Sequence, residues 1–213
     1  MKIFRFLTVF LLVLASFTVV TAQSRTDFTL ENISVKAGEK ATGFIKVPKG
    51  FDDGTQIPVS VFHGAKDGKV LLITAGIHGA EYSPILALQR LAKKIDPKKL
   101  SGTLILVHVS NPPSFFGRTI YYGPDGKNLN RSFPGKENGT ITERIAFVLT
   151  EKLIRRADLY IDVHSGDGNE SLNHYVAFYE NNEASRELVE TGRRMAYASG
   201  FDFLKPIRRG NTD

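Results

Sequence analysis

Residues 70–95 read VLLITAGIHGAEYSPILALQRLAKKI. The run 70–75 is apolar without alternating polar positions, the pattern of a strand covered on both faces, and 83–95 reads as a helix. A buried strand leading through a short turn into a helix is the unit from which α/β sheets are built. The alternation continues downstream, with a strand predicted at 103–109, a long loop, a helix at 142–156 and a strand at 159–163. Thr140 or Thr142 can cap the second helix, Glu143 lies in its first turn, and Arg155 and Arg156 lie in its last, matching the helix dipole. A final helix, 183–199, ends at Gly200. Upstream, runs at 42–47 and 57–62 are broken by Pro48, Gly50 and Asp53-Gly54, which predicts an antiparallel meander. Asp67-Gly68 is a hairpin-turn candidate. The predicted class is α/β: a mostly parallel or mixed sheet flanked by helices on both faces, with N-terminal antiparallel strands.

The chain has 213 residues, 42% hydrophobic and 23% charged, which is the composition of a globular domain and excludes a disordered one. Lys2 and Arg5 supply a basic start, Ile3 to Val20 is almost wholly apolar, and Val20-Thr21-Ala22 supplies small residues for cleavage, so residues 1–22 are expected to be a signal peptide. A single transmembrane anchor is the rival reading of the same stretch. The expected location is exported, periplasmic or secreted, with no membrane anchor after cleavage. Without Lys2 and Arg5 the formal charge falls from +6 to +4, too weak an excess to argue for nucleic acid. There is no cysteine, so a disulfide framework is excluded and any metal must be held by His and carboxylate.

In an open α/β sheet, ligands bind beyond the carboxyl ends of the strands, which directs attention to three loops. The first carries His78 and Glu81. The third begins Asp162-Val163-His164, where the strand period of two puts Asp162 and His164 on one side. Alone, a His and a Glu three apart mean little, and Asp162 with His164 reads first as a pair capping the next turn. Together His78, Glu81 and His164 make the His/Glu/His set of catalytic zinc sites, which leaves a fourth position for water. Asp162 is a candidate to hold the second ring nitrogen of His164. The middle loop holds Asn111-Pro112-Pro113, Arg118 and the run Asp125 to Gly135. Its arginines offer planar forks that suit a carboxylate or an oxyanion, and Asn130 can add an amide donor. The same loop also reads as a solvated surface.

The three loops, Gly-x-His-Gly-x-Glu, then Asn-Pro-Pro with Asp-Gly-x-Asn-Leu-Asn-Arg-x-Phe-Pro-Gly, then Asp-x-His, resemble the succinylglutamate desuccinylase/aspartoacylase family, relatives of the zinc carboxypeptidases. The resemblance covers roughly residues 60–213 and implies one Zn²⁺ held by His78, Glu81 and His164. It further implies that Asn130 and Arg131 grip a substrate carboxylate, and that Arg118 contacts the substrate and stabilises the oxyanion in catalysis. The implied reaction is hydrolysis of the amide bond of a small anionic N-acyl amino acid or peptide. On this reading 23–66 is an N-terminal β segment and 67–213 the zinc hydrolase domain. The family's general base is a Glu in a Glu-x-Gly-like segment on a later strand. None of Glu170, Glu180, Glu183, Glu187 and Glu190 has that context, so the sequence is read as stopping before the base, as a piece of a longer enzyme.

Two other readings compete. One is a carboxypeptidase-like or peptidoglycan-trimming peptidase, suggested by the same relatives and by export. The other is a catalytically inactive zinc protein that binds carboxylates through Arg118, Asn130 and Arg131. His/Glu ligation also accepts cobalt or nickel. His63, His108 and His174 read as structural.

Overall fold

A computed structural model describes residues 25–121, 125–180 and 184–208; the expected signal peptide lies outside them. Nine strands are present among these residues: β1 (Phe28–Leu30), β2 (Ile33–Val35), β3 (Glu39–Val47), β4 (Thr55–His63), β5 (Lys66–Ala75), β6 (Ser101–Val107), β7 (Leu159–Val163), β8 (Val176–Glu180) and β9 (Leu204–Arg208). The α-helices are α1 (Tyr82–Lys94), α2 (Pro112–Gly117), α3 (Ile141–Val148) and α4 (Arg186–Ala198). The main sheet has five strands in the order β3-β4-β6-β5-β7. β5 runs parallel to both β6 and β7, while β4 is antiparallel to β3 and to β6. The predicted α/β class with antiparallel strands at its N-terminal side is therefore observed, and the meander belongs to the same sheet as the parallel core.

Alternation along the strands sets the two layers. Ile105 and Val107 of β6, with Ile57, Val59 and Val61 of β4, face Ile141, Ile145, Leu149 and Leu153 in the 141–153 helical segment. Leu104 and Leu106 point the other way, towards Ile85 and Leu88 of α1. Each fully buried Leu or Ile contributes roughly 1.5–3 kcal/mol of transfer free energy, so both faces need their helix. The apolar run 70–75 is explained by this double cover.

Three expectations need correction in detail. Asp67-Gly68 is no hairpin turn; it lies within β5, where the pairing with β6 shifts register between Lys66 and Val70. A Cβ on Gly68 would come within 2.8 Å of the Gly102 nitrogen, so this glycine serves close strand approach, not chain reversal. The predicted helix 142–156 is α only to Val148, then π-helical over Leu149–Leu153 and 3₁₀ over Ile154–Arg156. Residues four apart drift about 40° around an α-helix; the wider π turn opposes that drift and keeps Ile145, Leu149 and Leu153 in one core. The last helix starts at Arg186, three residues later than 183, because Ser185 caps it by accepting from the Leu188 N–H at 3.2 Å.

Arg144 ties α3 to the β3–β4 connection. Its side chain is 3% exposed, and it donates to the Pro48, Gly139 and Asp53 carbonyls at 3.0, 2.7 and 3.1 Å and to the Asp52 carboxylate.

Candidate metal centre

The loops after β5, β6 and β7 open at the same end of the sheet, because these three strands are parallel. The first is shaped by two glycines. Gly76 has φ +70°, and a Cβ on Gly79 would sit 2.1 Å from the Ser114 carbonyl carbon. The loop is fastened to the start of α2: the Gly79 N–H donates to Ser114 Oγ at 3.0 Å, and the Asn111 N–H donates to the Gly76 carbonyl at 2.9 Å. Such a backbone-on-backbone seat admits no side chain at 79. It sends His78 and Glu81 back over the strand end.

Glu81 occupies the N-cap position of α1 but does not cap it with its side chain. Its side chain is 7% exposed and its carboxylate meets both imidazoles: Oε1 lies 2.7 Å from His78 Nδ1, and Oε2 lies 2.8 Å from His164 Nδ1. The Ser165 N–H adds a bond to Oε2 at 3.3 Å. Burial would raise the Glu81 pKa, but hydrogen bonds from His164 and His78 outweigh it and hold the carboxyl at about 2. Ligand atoms of His78, Glu81 and His164 all lie within 4.8 Å of one another. The three residues named from the sequence are thus brought together.

The second nitrogen of each imidazole is also engaged. His164 Nε2 lies 2.7 Å from Asp162 Oδ2, and the other oxygen of Asp162 accepts from the Thr74 hydroxyl at 2.6 Å. Burial pulls the His164 pKa down, yet the hydrogen bonds to Asp162 and Glu81 carry it up to about 10. His78 Nε2 lies 3.1 Å from Asn128 Oδ1. That Asn128 atom must be the amide oxygen, since it also accepts the Asn130 N–H at 2.9 Å. Both imidazoles are therefore held with Nε2–H donating outward, which leaves Nδ1 for a cation.

The substrate residues expected from the sequence are more dispersed. Arg118 is exposed and follows α2 in the left-handed conformation (φ 55°, ψ 42°). Asn130 and Arg131 are exposed on the 3₁₀ turn Leu129–Arg131. Arg131 lines a cleft of about 450 Å³ with Asn128, Lys127, Lys136 and Glu143 among its walls, so the cleft reaches the residue that touches His78. The Glu143 carboxylate is held down at about 2, first by the Thr140 backbone N–H and then by Lys127. It offsets one of the three cations and leaves the cleft basic.

Sequence reasoning passed over Asn128, Tyr121 and Asp167. The Tyr121 ring stands edge-on to His78 at 5.5 Å between centroids. Asp167 has a buried Oδ1 without a partner among the described residues; its pKa is raised by burial and then by the charge of Glu81. Of the remaining histidines, His63 bonds to Thr103 and to the Thr26 carbonyl, and His108 bonds to Ser60.

Residues 67–204 match the model of the succinylglutamate desuccinylase/aspartoacylase catalytic domain. Over 128 residues, 58% of this chain, the sequence is 38% identical to an N-alpha-acetyl-L-2,4-diaminobutyric acid deacetylase of Halomonas elongata, and the match covers 37% of that protein. It is 30% identical over 129 residues to a succinylglutamate desuccinylase of Pseudomonas aeruginosa, covering 54% of this chain and 37% of the relative. Among solved structures, an aspartoacylase family protein from Mesorhizobium loti superposes with a TM-score of 0.70 at 27% identity, over 89% of this chain and 59% of that one. A product-bound ectoine utilization protein from Ruegeria pomeroyi gives 0.68 at 27% identity, over 84% and 55%. The chain spans little more than a third of the curated relatives' length and under two thirds of these structures.

Proposed function

The chain belongs to the succinylglutamate desuccinylase/aspartoacylase family, and from that premise we propose that it forms the metal-binding core of a zinc-dependent hydrolase cleaving the amide bond of N-acyl amino acids. The observation that carries this reading is the meeting of His78, Glu81 and His164, from the ends of two parallel strands, with ligand atoms within 4.8 Å. Two imidazoles and one carboxylate fit zinc in a hydrolytic site, with a net positive charge and a fourth position left open. Zinc held there supplies Lewis acidity towards the amide carbonyl and lowers the pKa of water towards about 7.

This chain's own contribution is orientation and charge. Asp162, itself held by Thr74, fixes the His164 ring. In the proposal, the exposed guanidinium of Arg131, with Asn130 beside it, binds the substrate carboxylate at the basic cleft, and Arg118 stabilises negative charge on the attacked carbonyl oxygen. The deacetylase and desuccinylase relatives support an N-acyl amino acid as substrate. We also infer export, with residues 1–22 as a cleaved signal peptide, 23–66 as a β segment and the hydrolase domain beginning at 67. Among the described residues, no helix is long and apolar enough to cross a membrane.

The test is amine release by the full-length protein from N-alpha-acetyl-L-2,4-diaminobutyrate and N-succinylglutamate, with and without a chelator, beside a measurement of bound zinc. One zinc per chain and chelator-sensitive release are expected. Release unaffected by chelation would sink the reading. Stoichiometric zinc and bound carboxylate without any release would move the carboxylate-binding alternative to the front.

A further inference from the structure

We propose that Asn128 is a positioning residue for the metal centre, acting on His78 through a neutral amide where Asp162 acts on His164 through a carboxylate. The inference rests on the metal-site reading above and goes beyond it, because it distinguishes the two imidazoles. One oxygen, Asn128 Oδ1, lies 3.1 Å from His78 Nε2 and accepts the Asn130 N–H at 2.9 Å. The Asn128 backbone carbonyl accepts from Ser132 Oγ at 2.8 Å, which fixes the turn from its other side. Asn128 therefore joins the His78 ring to the turn that presents Asn130 and Arg131.

A carboxylate behind a ligating imidazole raises its basicity more than a carboxamide does, since only the carboxylate is charged. Asp162 holds the His164 ring from a strand, over a spacing of two residues; Asn128 reaches His78 across fifty. The geometry thus gives the metal one imidazole with strong electrostatic backing and one that is oriented but weakly backed. A weaker donor at His78 leaves more positive charge on the cation, which suits a Lewis acid.

Two substitutions separate orientation from local turn structure. Asn128→Ser keeps a short oxygen that can accept the N–H two residues on but cannot span the distance to His78. Asn128→Asp keeps both contacts and adds charge. Zn²⁺ affinity of the full chain is read by competition with a chromophoric chelator, with the visible spectrum of the Co²⁺ form and the melting curve of the metal-free chain as companions. For Asn128→Ser, roughly 10- to 100-fold weaker zinc binding is expected, with an altered cobalt spectrum and an unchanged melting temperature. Asn128→Asp is expected to bind zinc more tightly than the natural chain. Affinity of Asn128→Ser within twofold of the natural chain, or Asn128→Asp weaker than it, overturns the inference. If the natural chain itself binds neither metal, the metal-site reading fails, and this inference fails with it.

Discussion

The two ends of the main sheet are held very differently. Residues 28–153 contain nearly all of the buried side chains, with Ile57, Val61, Leu72, Ile105, Leu106 and Ile145 fully enclosed. In the described residues from 159 onwards, only Phe178 and Ala196 are buried, while Tyr160, Ile161, Tyr175, Tyr179, Leu188, Tyr197 and Phe203 stand exposed. Among the described residues, β7 lies at one edge of the main sheet, opposite β3, and β8 and β9 pair only with each other. The candidate metal centre straddles this divide: His78 and Glu81 come from the packed side, His164 from the exposed side. The difference teaches that the site's geometry is only as firm as the seating of β7.

The sharpest way to break this contrast is to delete one ligand from each side. His78→Ala and His164→Ala should both abolish stoichiometric zinc binding and any amine release, and His164→Ala should also lower the melting temperature of the metal-free chain at pH 7, because Glu81 and Asp162 hold the protonated ring. An unchanged melting temperature on His164→Ala would show that these contacts lend the metal-free fold nothing.

Ion pairs give the next largest effect. Arg144→Ala leaves the Asp52 carboxylate and several carbonyls without their donor in the packed region, and should cost about 3–5 kcal/mol in urea unfolding. Arg193→Ala removes a half-exposed partner of Glu180 and should cost no more than about 1 kcal/mol. Among apolar side chains, Ile105→Ala should cost about 2–5 kcal/mol, against about 0.5 kcal/mol or less for the exposed Leu188→Ala. Equal costs within either pair would erase the contrast.

The smallest signal is a proton count. His164 has its pKa raised to about 10, so the stability it lends the metal-free chain is fully present below 6.5 and lost as pH rises through about 10. At pH 7 the ring is protonated, and zinc must displace that proton. Calorimetric titration in two buffers of different ionisation enthalpy should therefore find about one proton released per zinc, and none would contradict the His164 environment described here.

The sequence was legible where side-chain pattern and chain geometry coincide. An unbroken apolar run can be read as a doubly covered strand, and 159–163 was placed to the residue. His78, Glu81 and His164 could be picked out because metal chemistry narrows the residue types and parallel strands put their loops at one end. Asn128 gave no such signal: its partner lies fifty residues away, and an asparagine in a turn looks like an asparagine in any turn. Gly68 misled because glycine permits both chain reversal and close strand approach, and only the position of Gly102 tells which is used. The change from α to π winding at Leu149 is a response to packing along three successive turns, which periodicity alone does not encode.

The contact between His164 and Glu81 joins residues 83 apart in the chain. In polymer terms it closes a long ring, and the entropy of closure grows only with the logarithm of that length. A cation bridging the two residues would act as a cross-link in a chain that has no cysteine to form one. Because His164 reaches Glu81 only when β7 is docked beside β5, uptake of the ion would report that this strand is in place, and the metal would hold it there as well as serve the chemistry.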